Sequence, residues 1–303
     1  MKWGDSMNRR EFLKLGGSSI ALLTVGGKTL PAIASEPVNL PNVKDDAGEQ
    51  YAVLTDVTKC VGCKMCQMAC QSYYGLEGGQ NVEDLSPDAW TFIRTVDVDM
   101  NGKQEKRNVR NQCFHCLEPA CASACPVGAL YKEKNGPVVY EGWKCIGCRY
   151  CMVACSFGIP RYEWDSRTPL VTKCIMCFQR LENGQQPVCT AACPVGATIF
   201  GKRSELIELA QKRLKDNPTK YIQHIYGLDE AGGTSFLYIS DIPFKDIGFR
   251  ENVTKRALPE YTWDTMSKIP AIVVASGLSL VGAYSWTKFK TRVEGERGED
   301  ICK

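Results

Sequence analysis

Sixteen of the 17 cysteines in this 303-residue chain stand in four tight groups, and their spacing sharply limits what the chain can fold into. The groups are Cys60-Cys63-Cys66-Cys70, Cys113-Cys116-Cys121-Cys125, Cys145-Cys148-Cys151-Cys155 and Cys174-Cys177-Cys189-Cys193, with Cys302 left over. Three thiolates on one short loop wrap a face of an iron–sulfur cubane, and a fourth after three residues points towards a neighbouring one. This is the C-x2-C-x2-C-x3-C-P logic of two-cluster ferredoxins. Four complete groups imply four [4Fe–4S] clusters and a chain that works as an electron wire. Disulfide scaffolds belong to short secreted chains. Zinc sites rarely add a third cysteine two residues on and a fourth after three more.

The groups also form an internal repeat in the order A-B-A′-B′. The run from Cys60 to Cys66 parallels Cys145 to Cys151, and Cys121 to Ala129 parallels Cys189 to Ala197. Gly62 and Gly147 let the backbone turn closely around inorganic sulfur, and Pro126 and Pro194 end their runs. Residues 91–100 run into Asn101-Gly102, and Lys132–Lys134 and Val138–Tyr140 flank Asn135-Gly136, so both stretches predict hairpins. Ser204 is the expected cap of a helix over 205–215, with Leu206, Leu209, Ala210 and Leu214 on one face. The expected fold is α+β: duplicated bacterial-ferredoxin-like modules with short hairpins, little conventional core, and an apo chain that folds poorly.

Both ends carry addresses. Asn8-Arg9-Arg10-Glu11-Phe12-Leu13-Lys14 is close to the twin-arginine export consensus, and Ala32-Ile33-Ala34 follows as an A-x-A cleavage pattern. Export of an already folded, metal-loaded chain reconciles reduced thiolates with an extracytoplasmic location. Removal of residues 1–34 leaves 32 basic and 32 acidic residues, so the net charge of +3 gives no case for nucleic-acid binding. Ile269–Thr287 is free of charge, and 19 residues at about 1.5 Å each span a bilayer core. Lys288, Lys290 and Arg292 follow at once, which places the tail in the cytoplasm.

The expected organisation is a signal peptide at 1–34, a four-cluster domain at 50–200, an extension at 201–268 leading to the membrane, a transmembrane helix at 269–287 and a tail at 288–303. The chain has no G-x-G-x-x-G, Walker A or C-x-x-C-H run, and no nucleophile–base constellation above chance, so no catalytic residues are assigned. His115, inside the second group, reads as a neighbour tuning a cluster, and His224 as an ordinary surface or packing residue. Lys59, Lys144 and Lys173 each precede a first cysteine where the second group has Gln112, which suggests a relatively low potential for the cluster wrapped by Cys113, Cys116 and Cys121.

The order of the groups, with the second and fourth ending in Cys-Pro, resembles the four-cluster ferredoxin-like subunits of membrane-associated oxidoreductases. These include the β subunits of formate dehydrogenase-N and dimethyl sulfoxide reductase, and the HybA-type subunits of periplasmic uptake nickel–iron hydrogenases. The likeness covers roughly residues 50–245. The leader, the run Cys145 to Cys155, Ile225-Tyr-Gly-Leu-Asp-Glu-Ala-Gly-Gly-Thr234 and the single C-terminal helix look most like the hydrogenase subunit. The short Cys177-to-Cys189 gap is nearer the formate dehydrogenase pattern, and Ser156 stands where proline is usual.

The resemblance implies that the first group pairs with the fourth and the second with the third. One cluster then takes Cys60, Cys63, Cys66 and Cys193, and its neighbour Cys70, Cys174, Cys177 and Cys189. The other module uses Cys113, Cys116, Cys121 and Cys155, beside Cys125, Cys145, Cys148 and Cys151. Spacing alone leaves open a pairing of the third group with the fourth. The resemblance also implies a non-catalytic electron-transfer subunit on the periplasmic side of the cytoplasmic membrane. Its partners would be the catalytic subunits of a hydrogenase, alternatively of a formate dehydrogenase or another molybdopterin enzyme, and an integral membrane subunit that reduces quinone or carries cytochrome b.

Overall fold

Strand β1 (Tyr51–Asp56) lies at the centre of the largest sheet, between β8 (Thr198–Lys202), antiparallel to it, and β9 (Phe236–Ile239), parallel to it. The computed structural model describes residues 50–301 apart from Asn101, with side chains up to residue 292. The expected leader and Cys302 lie outside the described residues. Alternation along the strands sends successive side chains to opposite faces. Val53, Phe236 and Tyr238 enter one buried cluster, while Ala52, Leu54, Leu237 and Ile239 enter another.

The second face is covered by helix α6 (Arg203–Asp216), whose Leu206, Ala210 and Leu214 are buried against it. Ser204 does not cap this helix. Lys202 occupies the cap position and makes no capping hydrogen bond, because β8 runs directly into the helix.

Between β1 and β8 the chain lays down α1 (Met65–Tyr74), the hairpin β2 (Thr91–Met100) and β3 (Lys103–Gln112), and α2 (Ala120–Ser123). Hairpin β4 (Leu130–Lys132) and β5 (Val138–Tyr140), helix α3 (Tyr150–Ala154), and the pair β6 (Arg161–Tyr162) and β7 (Val171–Thr172) follow. Helices α4 (Phe178–Glu182) and α5 (Val188–Ala191) complete the run. Both expected hairpins form: Met100 pairs with Lys103, and Lys132 with Val138. Helix α1 packs on α5, and α2 on α3, so elements of the first cysteine group meet those of the fourth, and the second meets the third.

The core is larger than expected. Phe92, Phe114, Phe157, Tyr226, Phe236, Tyr238 and Phe244 share one buried cluster, in which Phe114 stacks on Phe157 at 4.1 Å between ring centroids. The extension beyond residue 200 supplies much of this cluster, which the small residues of the cysteine runs could not build alone. Helix α7 (Leu258–Met266) then leads to α8 (Ile269–Ile301), so the helix continues through the residues expected as a tail. One helical stretch, Leu258–Arg292, is long and apolar enough to cross a membrane, and its apolar window is wholly unburied.

Candidate metal centres

Every cysteine group turns at the same place. The residue two after the first cysteine has a left-handed backbone in all four groups: Gly62 at φ +74, His115 at +49, Gly147 at +68 and Met176 at +56. The turn aims the amide of that residue back at the first cysteine. Gly147 N–H donates to Cys145 Sγ at 3.4 Å, Met176 N–H to Cys174 Sγ at 3.4 Å, and Gly62 N–H to Cys60. Glycine adopts this conformation freely, whereas a side chain there carries a cost of about 1–2 kcal/mol that surrounding packing must hold. His115 and Met176 are fully buried. His115 Nδ1 accepts from Val138 N–H at 2.8 Å, and its ring stacks on Phe236. With no glycine as a marker, the shared turn of the second and fourth groups was invisible in the sequence.

The last cysteines of the second, third and fourth groups share a second device. Ala129 N–H donates to Cys125 Sγ at 3.2 Å, and Ile159 N–H to Cys155 Sγ at 3.5 Å. Burial would raise the Cys193 thiol, but the amides of Thr198, Ala197 and Val195 and the Thr198 hydroxyl outweigh it and hold the thiol below its usual value.

Cysteines of different groups approach one another in the fold. One cavity is lined by Cys60, Cys63, Cys66 and Cys193, together with Thr55, Arg110 and Thr198. Another is lined by Cys125, Cys145, Cys148 and Cys151, with Leu130, Tyr140 and Val171 around them. Burial pushes the Cys70 thiol far up, and its neighbours Cys174, Cys189 and Cys177 add to the rise. Burial likewise raises Cys116, reinforced by Cys113, Cys121 and Cys155.

Adjacent sets also meet. Burial lifts Cys66 to about 11 with Cys189 contributing, and Cys121 to about 12 with Cys151 contributing. Cys174 is raised by burial first and by Cys113 next.

These surroundings fit a cubane better than a single ion. Zinc would draw its sulfurs to about 2.3 Å from one point. Among the described residues, no group of three or more His, Cys, Asp or Glu is gathered to hold one ion, and the sixteen described cysteines are all free thiols. Thr55 Oγ1 and all three guanidinium nitrogens of Arg110 are buried without a hydrogen-bond partner, and both residues line the first cavity. Tyr74 Oη is buried against the Cys177 thiol, to which it hydrogen-bonds. Buried donors facing a ring of thiols suit a group that presents sulfur acceptors.

His115 is a neighbour and not a member of these sets. Burial drives its ring well below its usual pKa, helped by Lys173 and Lys132. The charge argument from flanking lysines fails. Lys59 is exposed, and Lys144 is paired with Glu141 at 2.6 Å. Lys173 is buried and bonded to the carbonyls of Val138 and Cys174. Lys132, from β4, donates to His115 O at 3.2 Å beside Cys113 and Cys116. The group behind Gln112 thus has buried Lys173 and half-buried Lys132 near it, so the flanking lysines give no ground for a low potential there.

The stretch Ile225–Thr234 clasps the second group. Leu117 N–H donates to Gly233 O at 2.9 Å, and Cys116 bridges to Thr234. A Cβ at Gly227 would lie 2.4 Å from Phe236 O, so only glycine fits there. His224 Nε2 lies 2.7 Å from Glu230 Oε1, whose Oε2 accepts from Gly227 N–H at 2.6 Å. His224 therefore helps hold this clasp.

Comparison with known proteins agrees with the thiol geometry. Residues 59–129 and 106–203 each match a 4Fe-4S dicluster domain. A protein of Nitratidesulfovibrio vulgaris (strain Hildenborough) is 38% identical over 98% of this chain and 81% of its own length. The hydrogenase-2 operon protein HybA of Escherichia coli O157:H7 is 36% identical over 80% of this chain and 83% of its own. The iron–sulfur subunit of the nitrate-inducible formate dehydrogenase of Escherichia coli (strain K12) is 36% identical over 68% and 73% respectively. The chain belongs to the ferredoxin-like 4Fe-4S dicluster family of iron–sulfur electron-transfer subunits, which includes HybA and the formate dehydrogenase iron–sulfur subunits.

Proposed function

We propose that this chain holds four [4Fe–4S] clusters in a row and relays electrons from a periplasmic hydrogenase catalytic subunit to a membrane subunit that reduces quinone. The ligand sets are those the resemblance implies: Cys60, Cys63, Cys66 and Cys193; Cys70, Cys174, Cys177 and Cys189; Cys113, Cys116, Cys121 and Cys155; Cys125, Cys145, Cys148 and Cys151. The observation that carries the reading is the order of their thiols. Cys66 neighbours Cys189, Cys113 neighbours Cys174, and Cys121 neighbours Cys151, so each set adjoins the next. Each cubane, when bound, takes up and releases one electron. The protein's own part is to hold sulfurs at fixed separations, donate amides to them and keep water out of the middle of the row.

The hydrogenase reading is favoured by the twin-arginine leader and by the Ile225–Thr234 clasp. The formate dehydrogenase reading has the same level of identity behind it, with the short Cys177-to-Cys189 gap in addition. The exposed apolar helix α8 supports a membrane anchor, with the folded part on the periplasmic side and the catalysis in a partner.

Anaerobic purification with bound subunits tests the whole reading. The expected result is about sixteen irons per chain, four for each cubane. Nickel in the copurifying large subunit marks a hydrogenase, and molybdenum or tungsten a pterin enzyme. Colourless, zinc-loaded material would refute the wire.

A further inference from the structure

Arg110, on β3 opposite Ile93, is the largest fully buried side chain described, at 1% exposure. Its Nε, Nη1 and Nη2 are all shielded from solvent and have no hydrogen-bond partner. The guanidinium lies over the Phe236 ring, 5.4 Å from its centroid, and that contact offsets only part of what the charge loses on leaving water. No carboxylate stands among its chief electrostatic neighbours, which are Cys189, Cys66, Tyr238 and Cys174. The Tyr238 hydroxyl donates to the backbone O of Arg110, so it leaves the guanidinium unserved.

Such a residue has no structural reason to be an arginine. A buried cation without a partner is destabilising, and an apolar side chain of similar size would pack as well. Its position, however, is singular. It lines the cavity of Cys60, Cys63, Cys66 and Cys193, and it also acts on Cys70, Cys174 and Cys189 of the adjoining set.

We propose that Arg110 is a shared internal counter-ion for the first two metal centres, donating its N–H groups towards sulfur and raising both reduction potentials relative to the other two. The inference rests on the reading that these two sets hold clusters. Reduction adds one electron and hence one negative charge. A fixed cation in a dry site stabilises the product of that step more than the reactant. Because the arginine stays charged throughout the working pH range, the effect requires no proton uptake. Arg110 is thus a tuning residue acting through the clusters.

The test is an anaerobic, EPR-monitored redox titration of the purified complex with wild-type, Arg110→Gln and Arg110→Lys chains. Arg110→Gln is expected to lower the reduction constant at least tenfold, 59 mV for a one-electron couple, in two of the four couples. The other two should stay put, and Arg110→Lys should keep most of the wild-type value. Four unmoved potentials in an Arg110→Gln protein with full iron would overturn the proposal, as would an equal shift in all four. Should Arg110→Gln fail to retain iron, Arg110→Lys decides. Full loading with near-native potentials supports a required charge, and loss of iron in both variants shows a requirement of shape and overturns the proposal. Wild-type protein without cluster signals would instead sink the earlier reading.

Discussion

Asp56 joins the central sheet to the first cysteine group, and removing its carboxylate should loosen both. The side chain is fully buried and accepts four bonds: from Thr58 N–H at 3.2 Å, Thr58 Oγ1 at 2.7 Å, Tyr221 Oη at 3.0 Å and Arg213 Nη1 at 3.2 Å. The first of these caps the short turn Val57–Lys59, whose end presents Cys60. Loss of a capping side chain costs about 0.5–2 kcal/mol, and breaking a buried ion pair about 3–5 kcal/mol. The Arg213 side chain is 19% exposed, so water relieves part of the stranded charge. The net for Asp56→Ala is then about 3 kcal/mol, or about 6–12 °C in melting temperature for a domain of this size.

Iron loss makes the unfolding irreversible, so variants are compared at one scan rate by far-ultraviolet circular dichroism under anaerobic conditions. Asp56→Asn keeps the shape and one acceptor and should lose about half as much. Arg213→Met strands the carboxylate and should cost at least as much as Asp56→Asn. A fall of less than 2 °C for Asp56→Ala would show that the network contributes nothing net, and the reasoning would fail.

Gly62→Ala places a Cβ 2.6 Å from Asn108 Oδ1 at a φ of +74, whereas Gly75→Ala meets open space at +65. The first should cost about 2–3 kcal/mol and release iron faster under chelation, and the second only about 1 kcal/mol. Phe114→Ala removes a ring that stacks on Phe157 and touches Tyr226, Tyr238 and Phe249, so thermal unfolding should report a loss of about 3–5 kcal/mol. Chelation of iron should erase hydrogen-exchange protection in β4–β7, whose buried cluster includes Cys121 and Cys151, before that in α6, whose buried cluster has no cysteine among the described residues. Equal loss in both would contradict the separation of the two cores. Truncation before Ile269 should move the protein from the membrane to the soluble fraction after cell lysis; retention in the membrane would assign the anchoring to its partners.

Much of the site was legible in the chain, because its signal is local. A thiolate every third residue is a covalent fact, and the Asn-Gly turns and the α6 stripe of Leu206, Ala210 and Leu214 are short-range patterns. The aromatic core was not legible. Phe114, Phe157 and Tyr238 lie far apart in sequence and meet only when β9 adds to β1. Ser204 misled because strand pairing of Lys202 with Tyr51 carries the chain into the helix without a polar cap.

By itself the sequence determined the number of thiols, their grouping into a repeated two-part unit, and an apolar stretch long enough for a bilayer. Which thiols face one another, and which charges stand beside them, was decided by the tertiary structure alone. Lys132 and Arg110 act on cysteines from strands whose register depends on long-range pairing, and electrostatic reach follows distance through space rather than distance along the chain.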